Sequence, residues 1–289
     1  MVHSKPSRHK LDWKSKSHLM GILNVTPDSF YDGGKYSSLL QAEKRAIQMQ
    51  KEGADIIDIG GVSTRPGSLP PGKGEETKRV IPVLEKIIKK ISIPISIDTY
   101  RAEVAEKALN LGASMINDVT ALRGDEKMAE VIAKHNAPII LMHMKGNPLT
   151  MQEKPHYEDV IREILKFFEE RISFAVSHGI KENNILIDPG IGFGKRLEDN
   201  LKIIRELKKF KEFKKPIVIG VSRKSLIGKV LDLPPEERLL GTAASVTAAI
   251  MNGANVLRVH DVAEMSQVIR MTDAILRPKT EDKRPQTLN

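Results

Sequence analysis

Eight short apolar runs, alternating with helix-length amphipathic segments, constrain this 289-residue chain more than any other feature. The runs are LMGILNV (19–25), DIIDIG (55–60), IPISID (93–98), SMIND (114–118), PIILMH (138–143), NILID (184–188), PIVIGVS (216–222) and NVLRVH (255–260). Helical periodicity falls over 38–51, 75–90, 102–111, 126–133, 157–178, 197–213, 235–252 and 262–276. Gly53, Gly112, Gly179 and Gly253 stand where helices should end. Runs that are apolar throughout are buried on both faces, the mark of strands in a parallel sheet. Eight strand–helix units in unbroken succession predict one α/β domain, a (β/α)8 TIM barrel over residues 18–277. Residues 1–17 read as a basic N-terminal extension and 278–289 as a C-terminal tail.

Composition removes several function classes. There is no cysteine, hence no disulfide, thiolate nucleophile or cysteine-type zinc site. No apolar run approaches the ~18 residues of a membrane span. The segment MVHSKPSRHKLDWKSKSH lacks the apolar stretch of a secretory signal. A cytoplasmic protein with no membrane partner is expected. The net charge of +9 suggests nucleic acid at first. Much of it, however, lies in RLEDNLKIIRELKKFKEFKK, where Leu197, Leu201, Ile204, Leu207 and Phe210 share one helical face and lysines the other. That is a solvated helix face. With seven Phe, four Tyr and one Trp, and no aromatic–basic interleaving, the expected partners are anionic small molecules and not nucleic acid.

Barrel enzymes carry their chemistry on the loops that follow each strand. Here polar residues collect where the apolar runs stop: Asn24, Asp98, Asn117, His143, Asp188, Ser222 with Lys224, and Arg258 with His260. A single Asp in such a place is a helix cap, but Arg, Lys and His cannot cap helix N-termini. Asp98, Asn117 and Asp188 supply acceptors and an amide, suited to a planar heterocycle that presents paired N–H groups. Arg65, Lys224, Arg258 and His260 supply positive charge for phosphate or carboxylate oxygens. Asn24, with Asp28 and Asp32, offers hard oxygen ligands of the kind that hold Mg²⁺ against a diphosphate.

The stretch DPGIGFGK (188–195) imitates a phosphate loop and fails the test. A P-loop ending at Gly194-Lys195 requires glycine at Pro189 and Ser or Thr at Arg196. A dinucleotide fingerprint starting at Gly190 requires glycine at Lys195. Its glycines therefore serve a close approach of backbone to a ligand or a neighbouring loop.

Taken together, GILNVTPDSFYDGG (21–34), ADIIDIGGVSTRPGS (54–68), ISIDTYRAEVAEKAL (95–109), INDVTAL (116–122), LMHMKGNPLTMQ (141–152), ILIDPGIGFGK (185–195), IGVSRKSLIG (219–228) and RVHDV (258–262) closely resemble the dihydropteroate synthases, in order, over about 18–276. The resemblance implies a transferase of folate synthesis. It would join 6-hydroxymethyl-7,8-dihydropterin diphosphate to 4-aminobenzoate with release of diphosphate. By the family's pattern, Asp98, Asn117, Asp188 and Lys224 hold the pterin, and Met142 and Phe193 line its pocket. Asn24, Thr64, Arg65, Arg258 and His260 hold the diphosphate, with Asn24 and Asp32 near Mg²⁺. Phe30, Pro66, Phe193 and Ser222 form the aminobenzoate site. Asp32, Arg65, Lys224, Arg258 and His260 then carry the catalysis, and a homodimer is implied.

Other residues receive blander readings. Asp58 is expected to bond loop backbone, Asp118 to brace a loop, and His143 has no assigned role. Three departures from the family pattern stand out: Val62 in GGVSTRPG, LPPGKGEE before the second helix, and Arg196 with Asp199 in KRLEDN. Two rivals share the pterin pocket, a pterin-dependent methyltransferase and a non-catalytic pterin-binding paralogue. STRPG and RVH, which serve a diphosphate, argue against both.

Overall fold

A strand–helix–strand crossover returns the chain in its original direction, so successive apolar runs can only pair in parallel. The computed structural model describes residues 11–13, 15–25, 34–62, 72, 74–146, 150, 151, 153 and 155–277. Its strands are β1 (His18–Asn24), β2 (Ile56–Gly60), β3 (Ile95–Asp98), β4 (Met115–Asp118), β5 (Ile139–Met142), β6 (Ile185–Asp188), β7 (Val218–Ile219) and β8 (Val256–Val259). They pair in the order β6-β5-β4-β3-β2-β1-β8-β7, and an Ile187–Ile217 bridge joins β6 to β7 and closes the ring. Around it lie α1 (Gly34–Lys51), α2 (Glu75–Ile87), α3 (Ala102–Leu111), α4 (Met128–His135), α5 (Val160–Ser177), α6 (Leu197–Arg205), α7 (Ser225–Leu231), α8 (Leu239–Met251) and α9 (Val262–Leu276). The predicted (β/α)8 barrel is the fold. No helix among the described residues is long and apolar enough to cross a membrane.

The register positions the site. Met20, Ile56, Met115, Ile140, Leu186, Val218 and Val256 form one buried cluster inside the barrel, while residues between them, such as Ile57, Ile116 and Leu257, pack against the helices. Side chains alternate along a strand. Two positions beyond each inward apolar residue the same face therefore presents Asp58 on β2, Asn117 on β4, Met142 on β5, Asp188 on β6 and Arg258 on β8. The lower layer is apolar, and the layer above it carries the polar side chains together with Met142. Beneath the apolar layer, Leu11 and Trp13 pack against the inner cluster. The Trp13 carbonyl accepts from Asn255 Nδ2 at 2.8 Å.

Two helical segments differ from the sequence reading. The expected helix over 235–252 begins at Leu239, and Pro235–Glu237 forms a separate 3₁₀ turn. An unpredicted helix, α7, precedes it. Gly228 weakens helical propensity there, and a Cβ at that position would lie 2.3 Å from the Arg238 guanidinium, which would have to shift. The expected helix over 197–213 ends at Arg205 and continues as the 3₁₀ segment Leu207–Phe213.

Candidate active site

The polar layer is knit together by ion pairs and an amide. Arg258 on β8 donates from Nε to Asp58 Oδ2 at 2.6 Å and from a terminal nitrogen to Asp98 Oδ2 at 2.7 Å. Asn117 Nδ2 donates to the same Asp58 oxygen at 3.1 Å. This corrects the expectation for Asp58. It is fully buried and bonds two side chains of the site instead of loop backbone. Its position within the strand, not at the end, hid that role; its shared parity with Ile56 was the available signal. Arg258, expected beside a diphosphate, is engaged here with the acids of the heterocycle half.

Burial in this mouth moves the titrations. Asp98 is pushed up to about 7, chiefly by burial against the opposing pull of Arg258, with Asp58, Glu76 and Asp118 adding to the rise. Burial also raises Asp188, against Lys224 and the Gly190 N–H. Burial brings Lys224 down to about 8, with Asp188 opposing. Burial works against the charge on Arg258, yet the carboxylates of Asp58 and Asp98 outweigh it and hold the guanidinium above the usual arginine range.

The loop after β6 shows what the glycines of DPGIGFGK do. Gly190, Gly192 and Gly194 have φ of 71°, 83° and 64°, a region that side chains disfavour. A Cβ at Gly190 would lie 2.0 Å from the His143 carbonyl oxygen, and one at Gly194 would lie 2.3 Å from that of Lys145. The turn thus lies directly against the segment that follows β5, the close approach anticipated above. Gly190 N donates to Asp188 Oδ1 at 2.7 Å and fixes that carboxylate. Lys224 Nζ donates to the Ile191 carbonyl and stands 4.7 Å from the centre of the Phe193 ring. Phe193 packs against a small apolar cluster containing Met142, Met144, Met151 and Val119. Asp98, Asn117, Met142, Asp188, Phe193 and Lys224 are therefore gathered at one end of the barrel.

Across the mouth, Ser222 Oγ accepts from His260 N at 3.2 Å and lies 3.1 Å from His260 Nδ1. Sequence reasoning had not paired these two residues. The intervening Arg223 forms a double ion pair with Asp261 at 2.8 Å, which ties the loop after β7 to the end of β8. Asn24 closes β1 opposite Gly60. A Cβ on Gly60 would fall 3.5 Å from Asn24 Oδ1 and 3.7 Å from Asp98 Oδ2, so glycine keeps the space between these oxygens open. Asp28, Phe30, Asp32, Thr64, Arg65 and Pro66 lie outside the described residues.

The minor readings resolve as follows. Asp118 accepts from Thr120 N at 2.8 Å, Thr120 Oγ1 at 2.6 Å and Leu122 N at 2.8 Å, and so braces its loop. His143 is buried with its ring edge-on to Phe167. Arg196 and Asp199 pair at 2.9 Å at the start of α6, while α2 starts after Gly74 with no side-chain cap. Sequence reasoning also set Lys195 aside; it is buried in the loop.

A barrel whose upper layer joins buried carboxylates, an amide and a lysine defines an enzyme of the pterin-binding class. The family model described as "Pterin binding enzyme" matches residues 20–260. The chain is 48% identical to the dihydropteroate synthase of Bacillus subtilis over 276 residues, 96% of this chain and 94% of that protein. It is 46% identical to that of Escherichia coli over 270 residues, 93% and 95% of the two chains. Among solved structures, Xanthomonas albilineans dihydropteroate synthase with 4-aminobenzoic acid is similar at a TM-score of 0.87 and 41% identity, covering 92% and 95%. The same enzyme in complex with 7,8-dihydropteroate gives 0.84 and 38%, covering 92% and 96%. The chain belongs to the pterin-binding enzymes and, within them, to the dihydropteroate synthases, which are transferases.

Proposed function

We propose that the chain condenses 6-hydroxymethyl-7,8-dihydropterin diphosphate with 4-aminobenzoate, giving 7,8-dihydropteroate and diphosphate. The observation that carries this reading is the joining of Asp98, Asn117, Asp188 and Lys224 in one mouth through Arg258 and the turn after β6. Carboxylates there can accept paired N–H groups from the pterin, while Met142 and Phe193 cover its faces. Ser222 and Phe193, with Phe30 and Pro66, would receive the aminobenzoate.

An aromatic amine is a weak nucleophile, so catalysis must help the leaving group depart. His260, Arg258 and Arg65, with Thr64, would stabilise negative charge on the departing diphosphate. The electron-rich pterin shares the positive charge left on its methylene carbon, and Asp32 would stand near that cation. A dissociative, S_N1-like path follows. Ser222, bonded to His260 N and close to Nδ1, orients the imidazole without acting as a nucleophile.

Mg²⁺ is part of the same reading, with Asn24 as its expected donor among the described residues. Asn24 Oδ1 borders the space that Gly60 keeps open. Asn24 and Asp32 would hold the ion, which would supply charge neutralisation for the departing diphosphate. Pairing as a homodimer is supported by apolar side chains on α8 and α9, among them Leu240 at 81% exposure and Ile275 at 66%. A cytoplasmic location is part of the same reading.

The test is release of diphosphate from the pterin substrate, measured with and without 4-aminobenzoate and Mg²⁺. Release that needs both supports the reading. A folded protein that binds pterin yet releases nothing overturns it.

A further inference from the structure

The last residue of DPGIGFGK is unused by the chemistry above, and its surroundings are unusual. Lys195 is only 3% exposed. Its Nζ lies 2.8 Å from the Gly190 carbonyl oxygen, 3.1 Å from that of Phe193, 2.9 Å from His143 Nδ1 and 3.4 Å from the His143 carbonyl oxygen. An ammonium has three protons and no acceptor. The three nearest partners match them; burial also pulls Lys195 well below the usual lysine range, and as a neutral amine it would donate to the two carbonyls and accept from His143 Nδ1–H, so the clamp holds in either protonation state. Burial, together with the cations Lys195, Arg123 and Lys145, holds His143 well below the usual histidine range, consistent with a neutral ring.

Burying an amine is costly unless each proton finds a partner. A methionine would fill similar space without that cost, so the amine must do something that packing alone does not. The same turn is held by a second lysine: Lys195 takes the carbonyls of Gly190 and Phe193, and Lys224 takes that of Ile191. Gly192 N donates to Asn200 Oδ1 at 2.7 Å, and Tyr157 Oη donates to the Gly194 carbonyl at 2.8 Å. Of these anchors, Lys195 alone ties the turn to the end of β5. The turn's first N–H in turn fixes the carboxylate of Asp188.

We propose that Lys195 is a positioning residue for pterin binding, clamping the turn after β6 to His143 so that Asp188, Lys224 and Phe193 keep their places. The inference rests on the pterin reading of this mouth. With its side chain buried beneath the turn, Lys195 acts through these neighbours and does not touch the ligand.

The test compares the full-length wild type with Lys195→Met. Steady-state kinetics are measured separately in pterin diphosphate and in 4-aminobenzoate, alongside thermal unfolding. Loss of one such clamp is expected to raise the pterin KM about tenfold, the equivalent of ~1.4 kcal/mol. The 4-aminobenzoate KM should rise less, because Phe193 is the one residue held by this clamp that the aminobenzoate shares. A folded Lys195→Met enzyme with an unchanged pterin KM, or with both KM values raised equally, would overturn the inference. A wild type that fails to bind pteroic acid would overturn the pterin reading and this proposal together.

Should Lys195→Met not fold, the wild type labelled with ¹⁵N-lysine supplies the readout. The resonance of the buried Lys195 Nζ is expected to shift when pteroic acid saturates the site. A resonance identified as Lys195 by its loss in Lys195→Arg, and unmoved by pteroic acid, would refute the positioning role.

Discussion

The guanidinium of Arg258 and the carboxylate of Asp98 meet at 2.7 Å in the barrel mouth, although 160 positions separate them in the chain. Strand order explains the meeting. β8 lies beside β1, β2 and β3 follow it round the ring, and both side chains point inward at the polar layer. Arg258 opposes the burial that would otherwise drive Asp98 further towards its neutral acid.

A pH dependence of binding follows. With Asp98 raised to about 7, the ionised form that accepts ring N–H groups predominates above that pH and is lost below it. Pterin affinity should therefore rise with pH through about 7 and level off above it. Calorimetric titration of pteroic acid across this range checks the sign, and Asp98→Asn should weaken binding and abolish this limb. An affinity that is flat through neutrality in the wild type would contradict the assignment.

Asp58 should be a stability residue as well as a site residue. Asp58→Ala removes the acceptor of Arg258 Nε and of the Asn117 amide in a buried layer, leaving Arg258 its pair with Asp98, at an expected cost of about 3 kcal/mol. Urea denaturation measures it. Arg258→Ala should greatly reduce turnover while the chain still folds. The double mutant should cost less than the sum of the two singles, because they remove one shared contact.

Two glycines with similar backbone angles should behave very differently. Gly190 and Gly74 have φ of 71° and 84°. A Cβ at 190 meets a carbonyl oxygen at 2.0 Å, whereas one at 74 meets nothing within 4 Å. Gly74→Ala should cost only the left-handed strain of about 1 kcal/mol. Gly190→Ala must push the turn off the β5 end, with loss of pterin binding. Equal effects in thermal unfolding and ligand titration would refute this.

At the opposite end of the barrel, Trp13→Ala should lower stability without touching the chemistry. Trp13 packs under the inner apolar cluster and lies edge-on to His18, with ring centres 5.1 Å apart. Truncating a half-buried tryptophan is expected to cost about 2 kcal/mol. Barrel chemistry lies at the far end, so kcat and both KM values should be unchanged.

Much of this was legible in the residues. Apolar runs of strand length, separated by helix-length amphipathic segments, call for a parallel sheet covered on both faces, and the unbroken eightfold rhythm fits a barrel better than a doubly wound sheet. The ends of those runs pointed to Asn24, Asp98, Asn117, Asp188, Ser222 and Arg258. Asp58 and Lys195 were missed for one physical reason: each works through a contact made by another strand or loop. Asp58 needed the register that sets β2 between β1 and β3. Lys195 needed the approach of the β6 turn to His143.

The sequence by itself determined the eightfold unit and the chemical character of the mouth, because these depend on local periodicity and residue type. Only the tertiary structure decided which charges face each other. Arg258 joins Asp58 and Asp98, Ser222 joins His260, and Lys195 is drawn inside to clamp a turn. Such pairings depend on closure of the ring, which brings together side chains far apart in the chain and removes the water that would otherwise keep them independent.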